Sequence, residues 1–194
     1  QLLEHQKIAL LAVDEAHCIS EWGHNFRPDY LRIAALAERL KVKRVLALTA
    51  TATPDVVNDI AKVFAVPVHN VVQTGFYRSN LELRVTACVE RERKNVLLKK
   101  LAERSPGPAI VYVTLQRTAE QIAGLLASQG HAARAYHAGM KTEERNEVQD
   151  DFMAADDMIV VATIAFGMGI DKPNVRAVYH YNLPKSLESY MQEI

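Results

Sequence analysis

Apolar and polar residues fall in blocks along this chain, and the period changes from block to block. Residues 8–13, IALLAV, are an unbroken apolar run, the pattern of a strand buried on both faces of a parallel sheet. Residues 29–40 place Leu31, Ala34, Ala35 and Leu36 at helical spacing behind Pro28, a residue suited to a first helical turn. Residues 44–48 form a second apolar strand. Thr53-Pro54-Asp55 then opens a helix with a hydroxyl cap, an early proline and an acid at the positive end. Residues 68–73 read as a further strand.

The same alternation returns in the second half. Residues 83–89 predict a strand, 95–104 a helix, and Ser105-Pro106-Gly107-Pro108 a sharp turn. A strand at 109–113 precedes a helix at 117–128, which Gly130 stops. Strands follow at 133–136, 158–162 and 175–179, with a helix at 141–153, and Ser186 caps a last helix. Strands and helices in this order predict an α/β fold of parallel sheets covered by helices. Gly75-Phe76-Tyr77-Arg78-Ser79-Asn80 is the candidate interdomain linker.

Composition narrows this only a little. The chain has 194 residues, 49% hydrophobic and 24% charged, enough for one large or two small domains. Formal net charge is zero, so no global basic excess points to a nucleic acid, and such a surface would have to be a local groove. Cys18 and Cys88 stand far apart with no second cysteine near either. That fits neither a zinc ribbon nor a disulfide framework and suggests a reducing compartment. No apolar run reaches the roughly 18–20 residues that span a bilayer, and the opening QLLEHQK has no signal-peptide shape. The chain reads as an internal piece of a larger soluble protein.

Candidate chemistry begins at Asp14-Glu15-Ala16-His17, directly after the first apolar run. Ligands of open parallel sheets sit at the carboxyl ends of strands. Phosphoryl transfer needs one carboxylate for Mg²⁺ and a second group to orient the attacking water. Adjacent acids after a strand can equally cap a turn, and four letters do not separate the two uses.

The wider stretch LAVDEAHCISEWGHNFRPDYLRI, from Leu11, resembles the RecQ family of DNA helicases. There the acidic motif runs into an aromatic-rich loop that senses single-stranded DNA, here Ser20 to Pro28. Trp22 and Phe26 could instead be core aromatics, but a segment so dense in Gly, His, Asn, Arg and Pro suits a core poorly. Aromatic faces beside Arg27 are how single strands are gripped without sequence preference. Asn25 departs from the family's usual aspartate, which puts one carboxylate contact in doubt.

Further resemblances follow in family order. Leu48-Thr49-Ala50-Thr51-Ala52 is similar to the third helicase motif, which links the ATP and DNA sites. Ala109-Ile110-Val111-Tyr112-Val113 resembles the strand opening the second motor lobe, with Val113 where cysteine is more usual. Tyr136-His137-Ala138-Gly139-Met140 resembles a segment near the DNA backbone. Ala162-Thr163-Ile164-Ala165-Phe166-Gly167-Met168-Gly169-Ile170-Asp171-Lys172-Pro173 resembles the fifth motif. Glycines permit close approach to phosphates and a hydroxyl can donate to one, although Asp171 could simply cap the turn before Pro173. Leu187 to Ile194 resembles the start of the sixth motif, with Met191 in place of an aromatic.

The resemblance implies RecA-like lobes: a partial first lobe over 1–75, a linker at 76–84 and a second lobe over 85–194. It implies an ATP-dependent DNA helicase of 3′ to 5′ polarity, with ATP, Mg²⁺, and single-stranded and duplex DNA as its ligands. By the same resemblance Asp14 would hold Mg²⁺, through water, and Glu15 would be the base. His17, Trp22, Phe26, Arg27, Thr49, Thr51, His137 and Thr163 would bind DNA or couple it to ATP. Gly167, Gly169, Asp171 and Gln192 would communicate with the nucleotide. A bacterial cytoplasm and nucleoid, or a eukaryotic nucleus, is the implied location, with roles in DNA repair and recombination.

No G-x-G-K-[S/T] or G-x-x-x-x-G-K-[S/T] phosphate loop occurs in the sequence, nor the family's glycine-and-arginine segment, zinc-binding region or winged helix. The isolated chain is therefore expected to be inactive, and residues 8–13 to lack sheet partners, so that the second lobe folds on its own while the first-half remnant is loose, rearranged or paired with another chain. A DEAD-box RNA helicase would share the acids but not the aromatic-rich loop. A non-catalytic remnant that binds nucleic acid or a partner protein is the reading from a different class.

Overall fold

The computed structural model describes residues 6–22, 26–75, 78–163, 166 and 170–194. Two compact units divide the chain: Gln1–Leu81 with Ser186–Gln192, and Glu82–Lys185 with Glu193–Ile194.

In the first unit, β1 (Leu11–Val13) leads through a 3-10 turn, Ala16–Ile19, to α1 (Pro28–Arg39), β2 (Val45–Ala47) and α2 (Pro54–Val63). β1 and β2 pair in parallel, Leu11 beside Val45 and Val13 beside Ala47. The expectation that 8–13 lacks a sheet partner is thereby corrected: β2 supplies one. Burial on both faces is corrected too. Leu11, Val13, Val45 and Ala47 join a core with Ile19, Val56 and Ile60, whereas Leu10, Leu46 and Leu48 are exposed. Successive strand residues point to opposite faces, and in this unit the core forms on one of them. α2 starts as expected, with Thr53 Oγ1 accepting from Val56 N–H at 3.5 Å.

The expected strand at 68–73 is instead a 3-10 turn, Val68–Asn70, with Val68 and Val72 exposed. Valine-rich sequence suits a pleated, half-buried surface. Without a neighbouring strand, that preference yields no ladder.

In the second unit, α3 (Arg93–Glu103), β3 (Ala109–Tyr112), α4 (Gln116–Ser128), β4 (Ala133–Tyr136), α5 (Thr142–Ala154), β5 (Ile159–Ala162) and β6 (Ala177–His180) follow in turn. Their sheet has the order β4-β5-β3-β6, all parallel. Here the two central strands, β3 and β5, are buried on both faces. Ala109, Val111, Ile159 and Val161 pack with Leu97, Leu101, Ile122 and Leu126 of α3 and α4. Ile110, Tyr112, Val160 and Ala162 pack with Val148 and Phe152 of α5 and with Phe166. The strand expected at 83–89 is absent: that stretch has no regular structure, and Val85 is 100% exposed. Its alternation of Leu83, Val85, Ala87 and Val89 matches a strand, but it has no ladder partner among the described residues. α6 (Leu187–Glu193) closes the chain, and Ser186 Oγ accepts from Ser189 N–H at 3.2 Å, the expected cap. No described helix is long and apolar enough to cross a membrane.

Gly130 sits past α4 at φ +88°, in the left-handed region that closes many helices. A Cβ there would meet no neighbour, so Gly130→Ala tests backbone strain alone. It is expected to cost about 1–2 kcal/mol, read from urea unfolding.

Candidate functional site

Asp14 and Glu15 follow β1 at its carboxyl end, where a parallel sheet presents its ligands. Glu15 adopts φ +50°, unusual for a residue with a side chain. Its N–H donates to Asp14 Oδ1 at 2.8 Å, and its carbonyl accepts from Cys18 N–H at 2.9 Å. Ala16 N–H donates to Leu48 O, beyond β2, at 2.8 Å. Tyr30, on α1, donates its hydroxyl to Asp14 O at 3.2 Å. The strained turn is thus pinned from β2, from α1 and from within.

His17 is buried and joins the acids to the segment after β2. Its Nδ1 lies 3.0 Å from Thr49 Oγ1 and 3.1 Å from Glu15 Oε2. Thr49 Oγ1 donates to Thr51 O at 3.0 Å and accepts from Thr51 N–H at 3.3 Å. With the single hydroxyl proton committed to Thr51 O, Nδ1 must carry the proton it shares with Thr49. Glu15 Oε2 is itself buried and has no hydrogen bond of its own among the described residues. Thr51 is buried, its hydroxyl likewise without a hydrogen-bond partner among the described residues. Burial pushes the Cys18 thiol and the Tyr30 phenol above their ordinary values, so both stay protonated near neutral pH.

The aromatic-rich loop leaves this cluster at Ser20. Trp22 is 77% exposed, which removes the core-packing reading for it. Phe26 is half-buried and Arg27 exposed, the latter's N–H donating to Cys18 O at 2.8 Å.

In the second unit, Thr163 and His137 follow β5 and β4 at their carboxyl ends, where Thr163 N–H donates to Tyr136 O at 3.1 Å. His137 is buried, with Nε2 3.3 Å from Glu120 and Nδ1 without a hydrogen-bond partner among the described residues. Phe166 is held both by its carbonyl and by its ring. Its carbonyl accepts from Tyr112 Oη at 2.5 Å, and its ring meets those of Tyr136 and Phe152 edge-on at 4.8 and 5.2 Å. Burial first, then the Glu193 carboxylate, pushes the Tyr112 phenol far above its usual range and keeps it a donor. Asp171 and Gln192 are exposed. Gly167 and Gly169 lie outside the described residues, as do Gly23, His24, Asn25, Phe76 and Tyr77.

Sequence reasoning missed Tyr30, the Ser20–Asp59 bond at 2.5 Å and the His180–Glu193 pair at 2.7 Å. Tyr30 lies within the motif quoted above. The other two pairings have no local sequence signal.

Magnesium and ATP can be tested against this donor set. No group of three or more His, Cys, Asp or Glu gathers for a metal among the described residues. Mg²⁺ commonly uses one or two carboxylates plus water and substrate phosphates. Asp14 suits that role, with one oxygen occupied by Glu15 N–H and its side chain exposed at the strand end. Glu15, with a buried oxygen lacking a hydrogen bond, suits proton acceptance.

Comparison with known proteins identifies the family. Residues 1–60 match the DEAD/DEAH box helicase family and residues 92–194 the helicase conserved C-terminal domain. The chain is 44% identical to the rat (Rattus norvegicus) ATP-dependent DNA helicase Q5, covering 99% of this chain and 21% of that protein. It is 43% identical to the ATP-dependent DNA helicase RecQ of Bacillus subtilis strain 168, covering 100% and 32%. Between about a fifth and a third of each of these relatives is therefore spanned. The structure of S. cerevisiae Dbp5 bound to RNA and ADP BeF3 matches with a TM-score of 0.76 and 26% identity, over 97% of this chain and 49% of that one. The chain belongs to the superfamily 2 helicases, joining a DEAD/DEAH box segment to the conserved C-terminal helicase domain with the RecQ type as its relatives.

Proposed function

We propose that this chain is the central part of the motor of a DNA helicase that couples ATP hydrolysis to 3′ to 5′ movement on single strands and to duplex unwinding. The observation carrying this reading is the junction of Glu15, His17 and Thr49, with Nδ1 of His17 within 3.1 Å of both partners. One imidazole thereby touches the candidate base and the segment that resembles the motif linking ATP to DNA.

ATP with Mg²⁺, when bound, supplies the phosphoryl group and neutralises its charge. Asp14 would hold the metal through water. Glu15 accepts the proton of the attacking water, and His17 fixes the Glu15 side chain relative to Thr49. Trp22, Phe26 and Arg27 stack on and pair with a single strand, while Thr163 and His137 serve its backbone in the second unit. The division of the chain into a partial first lobe, a linker at 76–84 and a second lobe belongs to the same proposal.

Because the sequence contains no phosphate-loop motif, the isolated 194-residue chain is expected to hydrolyse no ATP above background. The phosphate loop is the principal cradle for the nucleotide. DNA-stimulated turnover by the purified chain would overturn this. For the parent protein, the test is unwinding of duplexes with 3′ or 5′ tails. Activity confined to 3′ tails supports the polarity; preference for 5′ tails ends it. The likeness to an RNA-bound structure gives the RNA reading its one support, and stimulation by poly(U) but not poly(dT) would select it.

A further inference from the structure

Ser20 is where the acidic segment becomes the aromatic-rich loop, and it is only 1% exposed. Its hydroxyl donates to Asp59 Oδ2 at 2.5 Å and accepts from Trp22 N–H at 3.2 Å. Asp59 lies on α2, next to Ile60 of the first unit's core, so its carboxylate is carried by a packed helix. A hydroxyl-to-carboxylate bond this short is charge-assisted and stronger than a neutral one. At its far end the loop is closed by Arg27 N–H on Cys18 O at 2.8 Å. Ser20–Asp59 and His17–Thr49 are thus two braces between the same stretches of chain, residues 17–20 and 49–59. The His17 brace leads to the candidate base, whereas the Ser20 brace leads to the backbone of Trp22.

We propose that Asp59 is a positioning residue: through the Ser20 hydroxyl it fixes the backbone at Trp22 and so sets the pose of the Trp22 ring for a single strand. This rests on the reading of that loop as the single-strand grip. Asp59 touches neither nucleotide nor DNA in this proposal. It ties the loop to the helix that Thr53 opens, four residues after Thr49, so that a shift of that segment is carried to the loop base.

The chain has one tryptophan among seven tyrosines, and it is Trp22, so fluorescence excited beyond the tyrosine absorption band reports this position. Time-resolved anisotropy is measured on the chain and on Asp59→Ala, Ser20→Ala and Asp59→Asn, with far-UV circular dichroism as the check of fold. Cutting the tether should raise the amplitude of nanosecond depolarisation about twofold in Asp59→Ala and Ser20→Ala, since untethered loops move on that timescale. Asp59→Asn, whose amide oxygen accepts the Ser20 hydroxyl, should stay near the parent value. Binding of oligo(dT), followed through Trp22 emission, should weaken about tenfold in the first two variants and recover in the third.

A purely structural Asp59 would lower the melting temperature and leave low-temperature anisotropy unchanged, and that result overturns the proposal. If Asp59→Ala does not fold, Ser20→Ala removes the same bond while leaving α2 untouched. If the unaltered chain ignores oligo(dT) while the variants still change anisotropy, the single-strand reading of the loop falls and the tether stands. If DNA binds but no variant moves the anisotropy, the tether falls and the single-strand reading stands.

Discussion

On the proposed function, Glu15→Gln introduced into the full-length protein is expected to lower DNA-stimulated ATP hydrolysis by about 10²- to 10⁴-fold, the usual contribution of a general base. Nucleotide affinity should hardly change. Glutamine has nearly the same shape and can adopt the same φ of +50°, so the pinned turn survives. Its Ala16 N–H to Leu48 O bond at 2.8 Å uses only backbone atoms. What is lost is proton acceptance, because an amide oxygen is a far weaker base than a carboxylate. Left-handed backbone at a non-glycine residue costs on the order of 1–3 kcal/mol and persists where surroundings hold it. Here those surroundings are β2, Tyr30 and Cys18. The measurement is the rate of phosphate release beside the binding of a fluorescent ATP analogue. A variant keeping more than half of the parent rate would remove Glu15 from the catalytic role.

The sequence made some of this visible and hid the rest for physical reasons. Strands β3 and β5 were legible because helices cover both faces of their sheet, so every residue of each strand had to be apolar. Residues 8–13 carry the same pattern, but their unit buries one face, leaving Leu10 and Leu46 in solvent. Residues 68–73 and 83–89 have strand composition without a strand. Local preference sets what a segment can do, and a ladder also needs an unpaired edge at the right distance. Helix ends were legible to within a residue or two where Thr53, Ser186 and Gly130 mark them, since caps act within one turn.

The candidate site divides in the same way. Asp14, Glu15 and His17 are adjacent in the chain, so a motif could reveal them. That His17 meets Thr49 and Ser20 meets Asp59 depends on β1 pairing with β2 and on α2 packing beside the turn. These are facts of tertiary structure, 32 and 39 residues apart in sequence. The resemblance supplied His17 and Thr49 as residues, but it could not supply the proton that joins them. Asp59 lay outside every motif.

The largest expected loss of stability is in the second unit. Phe152→Ala should cost about 3–5 kcal/mol, a large share of the roughly 5–15 kcal/mol that holds a typical domain together. Phe152 is fully buried on α5 among Val148, Val160 and Phe166. Its ring meets Phe166 edge-on at 5.2 Å and lies 5.7 Å from the Lys172 ammonium. Removing the ring takes away transfer energy, leaves a void that packed neighbours fill only in part, and ends both contacts. Phe152→Leu keeps most of the volume and should cost less than about 1.5 kcal/mol. Urea unfolding followed by far-UV circular dichroism separates the two variants, and equal midpoints for Phe152→Ala and the parent chain would refute this packing role. The consequence reaches the candidate site because Phe166 leans on Phe152 from the segment that follows Thr163. With that support gone, Phe166 keeps its edge contact to Tyr136 and the Tyr112 hydroxyl bond to its carbonyl, but loses the ring packed against it. Thr163 stays tied to β4 through Tyr136 O, so Phe166 should be displaced before Thr163. On the proposed function, Phe152→Leu in the full-length protein should therefore spare DNA stimulation of the ATPase, and Phe152→Ala should reduce it even at temperatures where the unit remains folded.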